Sequence, residues 1–228
     1  MKIPSVIVAF VVLILVETGF AQNFQNLDFE AANIPGSTPI GSTAPISARL
    51  PGWSGYIGGF QQTAAYYDLS GLDSSRISII DHGWSSFPEI GVIEGNYTAL
   101  LAAGLFGDPT LSQTGLVPSG TQSLQFRAYF EGLPGSFAVT LGGQTLALTP
   151  LGSGTNYSLY GADINSWGNQ TAELAFTVFA QQPHQANFYL SLDSIQFSTQ
   201  SIPEPSGLAL FGVGALLLGF FRRRNSSR

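Results

Sequence analysis

The residues best suited to chemistry lie in one short stretch, Asp81-His82-Gly83-Trp84-Ser85-Ser86. An acid, an imidazole and two hydroxyls are the parts of an acyl-transfer triad. A triad needs those groups side by side, a geometry that distant segments supply and three neighbours in one loop rarely reach. The stretch also lacks the second glycine of a Gly-x-Ser-x-Gly elbow. It reads as a turn carrying solvated polar groups, and no catalytic residue is assigned. His82 and His184 are the only histidines, and there is no cysteine. Zinc and iron sites take more nitrogen or sulfur ligands than this, and thiol nucleophiles and disulfide staples are excluded. Glycoside hydrolysis needs two carboxylates roughly 5–9 Å apart in a cleft, whereas the acids here are scattered among turns. Recognition is what remains. Trp53, Tyr56, Tyr66, Tyr67, Trp84 and Trp167 lie in or beside Gly/Ser-rich segments, where flat rings can stack on sugars. Trp53, Tyr56, Trp84 and Trp167 are the glycan-binding candidates, set against the ordinary use of large aromatics in a core.

Composition narrows the partners. Between positions 22 and 200 there are twelve acids and three bases (Arg49, Arg76 and Arg127), a net charge of −9. Such a surface repels a polyphosphate backbone, so nucleic acid is excluded as a partner. Without disulfides, stability must come from a core, and about 180 residues suffice for one. Asn96-Tyr97-Thr98, Asn156-Tyr157-Ser158 and Asn169-Gln170-Thr171 match a glycosylation sequon.

The elements that must position these residues read as strands. Asn26–Glu30 alternates polar and apolar and is expected as the first strand. Ala31–Pro51, with four prolines, is expected as a long irregular loop. Trp53–Ile57, Arg76–Ile80 and Tyr97–Leu101 read as strands, with a helical turn as the alternative over Ala99–Phe106. In Ser123–Glu131, Leu124, Phe126, Ala128 and Phe130 share one face, with Gln125, Arg127, Tyr129 and Glu131 on the other. Gly142-Gly143 supplies the two positive-φ positions of a tight hairpin turn, setting Val139 opposite Leu146 and Phe137 opposite Leu148. Thr171–Phe179 alternates again. The last strand, Asn187–Ser198, changes phase once, which places a β-bulge near Asp193-Ser194. Many short strands between Gly/Pro turns make an all-β sandwich.

The two ends carry addresses. Lys2, the apolar run Val6–Val16 and Gly19-Phe20-Ala21 form a secretory signal peptide with cleavage expected after Ala21. At the other end, Pro203-Glu204-Pro205 cannot be helical. Leu208–Phe221 is uncharged, and its fourteen residues span about 21 Å as helix, short of a ~30 Å hydrocarbon core. Arg222, Arg223 and Arg224 then supply a stop on the cytoplasmic side. The combination over Ser201–Arg228 resembles the PEP-CTERM sorting tail of bacterial exported proteins, also named the ice-binding protein C-terminal domain. The resemblance implies processing by an exosortase near Pro203, Glu204 and Pro205, with the short transmembrane helix holding an inner-membrane intermediate. It implies delivery to the cell surface or extracellular matrix. The regular Thr-rich face that ice binding needs is absent from the sequence.

The segment from Leu111 to Phe197, with Ser123-Leu-Gln-Phe126, Leu141-Gly-Gly-Gln144 and Leu192-Asp-Ser-Ile-Gln-Phe197, is similar to jelly-roll modules related to carbohydrate-binding domains. That resemblance implies a jelly-roll β-sandwich over 22–200. It also implies a structural calcium site between the first and last strands, for which Glu30 and Asp193 are the matching residues. The familiar second acid after Asp193 is replaced by Ser194. No other cofactor is expected. The functional expectation is an exported, non-enzymatic surface or matrix protein associating with extracellular polysaccharide. The alternative is a secreted polysaccharide-acting enzyme whose active site the motifs do not reveal.

Overall fold

The computed structural model describes residues 22–71, 73–84, 90–105, 107–133, 135–180 and 188–202. The expected signal peptide (1–21), Pro203, Glu204 and Pro205, the apolar segment, and Arg222, Arg223 and Arg224 lie outside these residues. Among the described residues no helix is long and apolar enough to cross a membrane.

The described residues form fourteen strands: β1 (Thr43–Pro45), β2 (Ser54–Ile57), β3 (Phe60–Gln62), β4 (Ala64–Tyr67), β5 (Arg76–Ile80), β6 (Thr98–Ala103), β7 (Pro109–Leu116), β8 (Ser123–Glu131), β9 (Phe137–Leu141), β10 (Gln144–Thr145), β11 (Thr149–Ser153), β12 (Ser158–Asp163), β13 (Thr171–Val178) and β14 (Phe188–Ser198). A one-turn helix α1 (Ile46–Arg49) follows β1. They form an eight-stranded sheet, β1-β4-β5-β6-β14-β8-β12-β11, and a six-stranded sheet, β10-β9-β13-β7-β2-β3. From β6 to β9 and from β12 to β14 the chain changes sheet at every strand. In the larger sheet β6, β14, β8 and β12 lie side by side, and in the smaller one β7, β13, β9 and β10 do. This nesting of late strands between early ones is the wrap of a jelly roll, so the sandwich expected from the alternation is the observed architecture.

The core lies between the sheets and is built from the apolar faces that the alternation marks. Leu124, Phe126 and Ala128 of β8 meet Val139 and Leu141 of β9 and Leu174, Phe176 and Val178 of β13, all buried. Phe126 and Phe176 touch edge to face across the layers, with ring centroids 5.2 Å apart. Burial on this scale contributes about 1.5–3 kcal/mol per large side chain. All six residues of β6 are buried, so the helical alternative over Ala99–Phe106 gives way to a strand covered on both faces. Its outward face meets a second cluster, Ile80, Trp84, Ile90, Leu100, Ala102 and Tyr189, under the loop that follows β5.

Local expectations fare unevenly. The hairpin turn and the Val139–Leu146 pairing form as read: Gly142 and Gly143 have φ of 55° and 78°, and the Leu146 amide donates to the Val139 carbonyl at 2.9 Å, while the strand pairing stops at Thr145, short of Phe137 and Leu148. The phase slip in β14 is a register shift between Asp193 and Gln196, with Ser194 at φ 50°. Asn26–Glu30 is a turn instead of a strand. Asn26 and Phe29 both adopt positive φ, the Asn26 side chain accepts from the Ala31 amide, and Phe29 is driven into the core beside Trp53. The proline-rich stretch after it is not wholly irregular, since β1 and α1 lie within it.

Candidate functional site

The outer face of the eight-stranded sheet has two halves. One, over β5, β6 and the start of β14, is sealed by Trp84 and Ile90. The other, over β8, β12, β11 and the end of β14, holds an open polar cavity of ≈ 380 Å³. Its floor comes from β8, whose even-numbered residues face the core and whose Gln125 and Arg127 therefore face out. In register beside them on β14 are Gln196 and Asp193. The bulge makes this possible. An unbroken strand would send Ser194 inward, whereas the extra residue lets Ser194 and then Gln196 both line the cavity, while Ile195 returns to the core. Tyr157, Ser153 and Leu159 close the side formed by β11 and β12.

The remaining wall is Glu94, and the loop that carries it is held at many points. The Ile93 amide donates to Thr98 Oγ1 at 2.9 Å, and Asn156 Nδ2 donates to the Val92 carbonyl at 3.0 Å. Asp193, with no exposed surface, accepts from the Thr98 hydroxyl at 2.6 Å, the Glu94 amide at 3.2 Å and the Ser194 amide at 2.7 Å. Glu30 reaches the same loop from the other side. It accepts from the Asn96 amide at 2.7 Å, the Tyr97 amide at 2.9 Å and Asn96 Nδ2 at 2.9 Å. Burial is the main cause that pushes the Asp193 carboxyl up to about 7; its hydrogen bonds oppose the shift and the Glu30 charge adds to it.

Glu94 pairs with Arg127 and accepts from the Ser194 hydroxyl. The Arg127 hydrogen bond, followed by that of Ser194, holds the Glu94 carboxyl below the usual range, so it is ionised at neutral pH. Arg127 in turn lies over the Tyr157 ring, 5.1 Å from its centroid. The cavity thus contains one carboxylate and one guanidinium, each facing the other, with amides and hydroxyls around them.

The sequence candidates fall elsewhere. Trp53 is only 3 % exposed, wedged between Phe29 and Phe176, with its indole N–H donating to the Asn26 carbonyl. Trp84 is 9 % exposed within the second cluster. Neither offers a face to a sugar, because the core claims both rings. Trp167, in a short 3₁₀ turn (Asn165–Trp167), lies over Gly142 of the hairpin. Tyr56 is half-buried on β2. These rings do not converge on the cavity. Glu30 and Asp193 do approach each other, as the calcium expectation requires, but each faces three N–H or O–H donors. Calcium takes six to eight oxygens, and no group of three acidic, histidine or cysteine side chains converges among the described residues. In this structure the donors hold both carboxylates onto the Glu94 loop. In the Asp81-His82 turn, Asp81 accepts from the Tyr67 hydroxyl at 2.6 Å and the Gly83 amide at 2.6 Å, and His82 Nε2 pairs with the Gly95 carbonyl. Asp81 is thus spent on other partners than His82, while Ser85 and Ser86 lie outside the described residues. Sequence reasoning missed Glu94, Tyr157, Ser194 and Gln196. The available signals were the polar face of Ser123–Glu131 and the phase slip at Asp193.

Residues 201–225 match the PEP-CTERM protein-sorting motif, so the tail is the sorting segment its residues resemble. The motif marks a sorted surface protein. No curated protein matches the chain. Among solved structures, TmCBM61 in complex with β-1,4-galactotriose is 12 % identical, with a TM-score of 0.42, covering 77 % of this chain and 97 % of that one. The K2 cleaved adhesin domain of Lys-gingipain is 14 % identical, with a TM-score of 0.40, covering 78 % of this chain and 98 % of that one.

Proposed function

We propose that this protein is exported, delivered to the cell surface or matrix through an exosortase, and acts there without catalysis by binding extracellular polysaccharide in the cavity between β8, β14 and the Glu94 loop. The observation that carries the reading is the cavity's chemistry: hydroxyls, amides and a self-paired ion pair, mounted on a sheet and braced from behind. Polar groups held rigidly recover affinity that mobile ones lose to ordering. Cleavage would need a protonated acid and a second carboxylate facing it. Glu94 is ionised, and Asp193 is buried and turned onto the loop. Glu30 and Asp193, in this reading, are the clamps that fix the Glu94 wall. The apolar tail holds the chain at the inner membrane until it is processed near Pro203, Glu204 and Pro205. The test is co-sedimentation of the purified full chain with extracellular polysaccharide, with reducing ends assayed in parallel. Binding without new reducing ends is expected. Release of reducing ends would establish the enzyme instead, and failure to bind would remove the polysaccharide reading.

A further inference from the structure

We propose that the cavity selects uncharged, hydroxyl-rich sugar units over acidic ones, and that the Glu94–Arg127 pair sets this preference. The inference rests on the polysaccharide reading above and adds the class of sugar. An arginine in a sugar site is ordinarily an invitation to a uronate, since a guanidinium binds a carboxylate with two parallel hydrogen bonds. Here the Nη1 edge of that guanidinium already faces a carboxylate of the protein's own. Glu94 Oε2 receives Arg127 and the Ser194 hydroxyl, and the guanidinium is also stacked on Tyr157. An acidic sugar would have to displace Glu94 from Nη1 or bring its carboxylate beside that of Glu94, and both cost free energy. The displacement is resisted because Asp193, Thr98 and Asn156 all hold the loop that carries Glu94.

What the cavity leaves unspent suits hydroxyls. Among the described residues the Gln196 amide and the Tyr157 hydroxyl have no protein partner. Gln125 uses only Nε2, which donates to the Ser123 hydroxyl at 3.3 Å, leaving its amide oxygen as an acceptor. An amide presents donors and acceptors together, and a sugar hydroxyl is both. The surroundings act the same way, because the body's twelve acids against three bases repel a polyanion before it reaches the cavity. At ≈ 380 Å³ the space is near the lower end of small-ligand pockets (roughly 300–1,000 Å³), which favours a short stretch of sugar over a long chain.

The experiment is calorimetric titration of the full chain in detergent with neutral hexose oligosaccharides and with oligogalacturonate of equal length, at one ionic strength. Neutral oligosaccharides are expected to bind at least about tenfold tighter. Glu94→Gln, which unpairs Arg127, should raise oligogalacturonate affinity and narrow that ratio by roughly tenfold. Gln125→Ala combined with Gln196→Ala should weaken neutral binding without improving acidic binding. If the unaltered chain binds oligogalacturonate as well as or better than neutral sugars, the inference is overturned and the polysaccharide reading stands. If folded Glu94→Gln keeps the original ratio, the ion pair is not the selector. If neither class binds, the polysaccharide reading itself fails. Should Glu94→Gln not fold, the comparison of the two ligand classes on the unaltered chain still decides the preference.

Discussion

Asp68 shows how one residue can work against its own fold. It sits after β4 at φ 46°, 3 % exposed, accepting from the Asp81 amide at 3.0 Å. Burial, with the nearby Asp81 charge, pushes its carboxyl up to about 6 from 3.8. Between those values the folded state holds a proton that the unfolded chain has released, so stability falls as pH rises through that window. Asn at this position keeps the acceptor oxygen and tolerates positive φ. Asp68→Asn should therefore leave the melting temperature unchanged below about pH 4. Above about pH 7 it should raise it by roughly 2–4 °C, the shift given by ~1 kcal/mol in a domain of this size. Thermal melts across pH measure this; a constant difference at every pH would contradict the assignment. Nothing in the sequence marks Asp68, because its neighbour Asp81 is supplied by the end of β5.

At the scale of elements, the hairpin and the bulge were legible because each is a local event. Gly142-Gly143 has no other use between two apolar arms, and the slip at Asp193 is visible in the order of Leu192 and Ile195. The turn at Asn26–Glu30 was not legible, since its alternation imitates a strand while the fold needs Phe29 under Trp53. Gly142 also packs against the Trp167 ring, where a Cβ would clash, whereas Gly143 has open space. Gly142→Val should cost about 2 kcal/mol or more through positive φ and the displaced ring. Gly143→Asn should cost less than ~1 kcal/mol. Denaturant titrations compare them, and equal losses would remove Trp167 from the account. The carboxylate clamps give a second prediction. With Glu30 and Asp193 answered by protein donors, calcium or a chelator should leave the melting temperature unchanged. A rise with calcium would restore the cation site and imply that the Asn96, Tyr97 and Thr98 donors turn away when it binds.

For the whole molecule, the sandwich was legible and the site was not. Alternation assigns a strand's faces, so Gln125 and Arg127 were placed on an outer face from sequence alone. The partners that turn that face into a cavity come from other strands and loops, and no spacing links Arg127 to Glu94 or Tyr157. Two of the large aromatics that stand out in the sequence, Trp53 and Trp84, serve the core, as a sandwich of this size without disulfides requires. The tail remains readable as an address. Ile202 packs on Gly161 at the outer face of the larger sheet, so the folded body reaches to within one residue of Pro203. Intact-mass analysis of the surface-associated protein from native cells should show that Leu208–Arg228 has been removed. Full-length chains on the surface would make the tail a lasting anchor.

The most direct test of the binding account is amide hydrogen exchange on the full chain with and without saturating neutral oligosaccharide. The account predicts added protection over Val92–Tyr97, Ser153–Tyr157 and Ser194–Gln196, with the segments around Trp53, Trp84 and Trp167 unchanged. Protection confined to those tryptophan segments, or none anywhere at saturation, would contradict it.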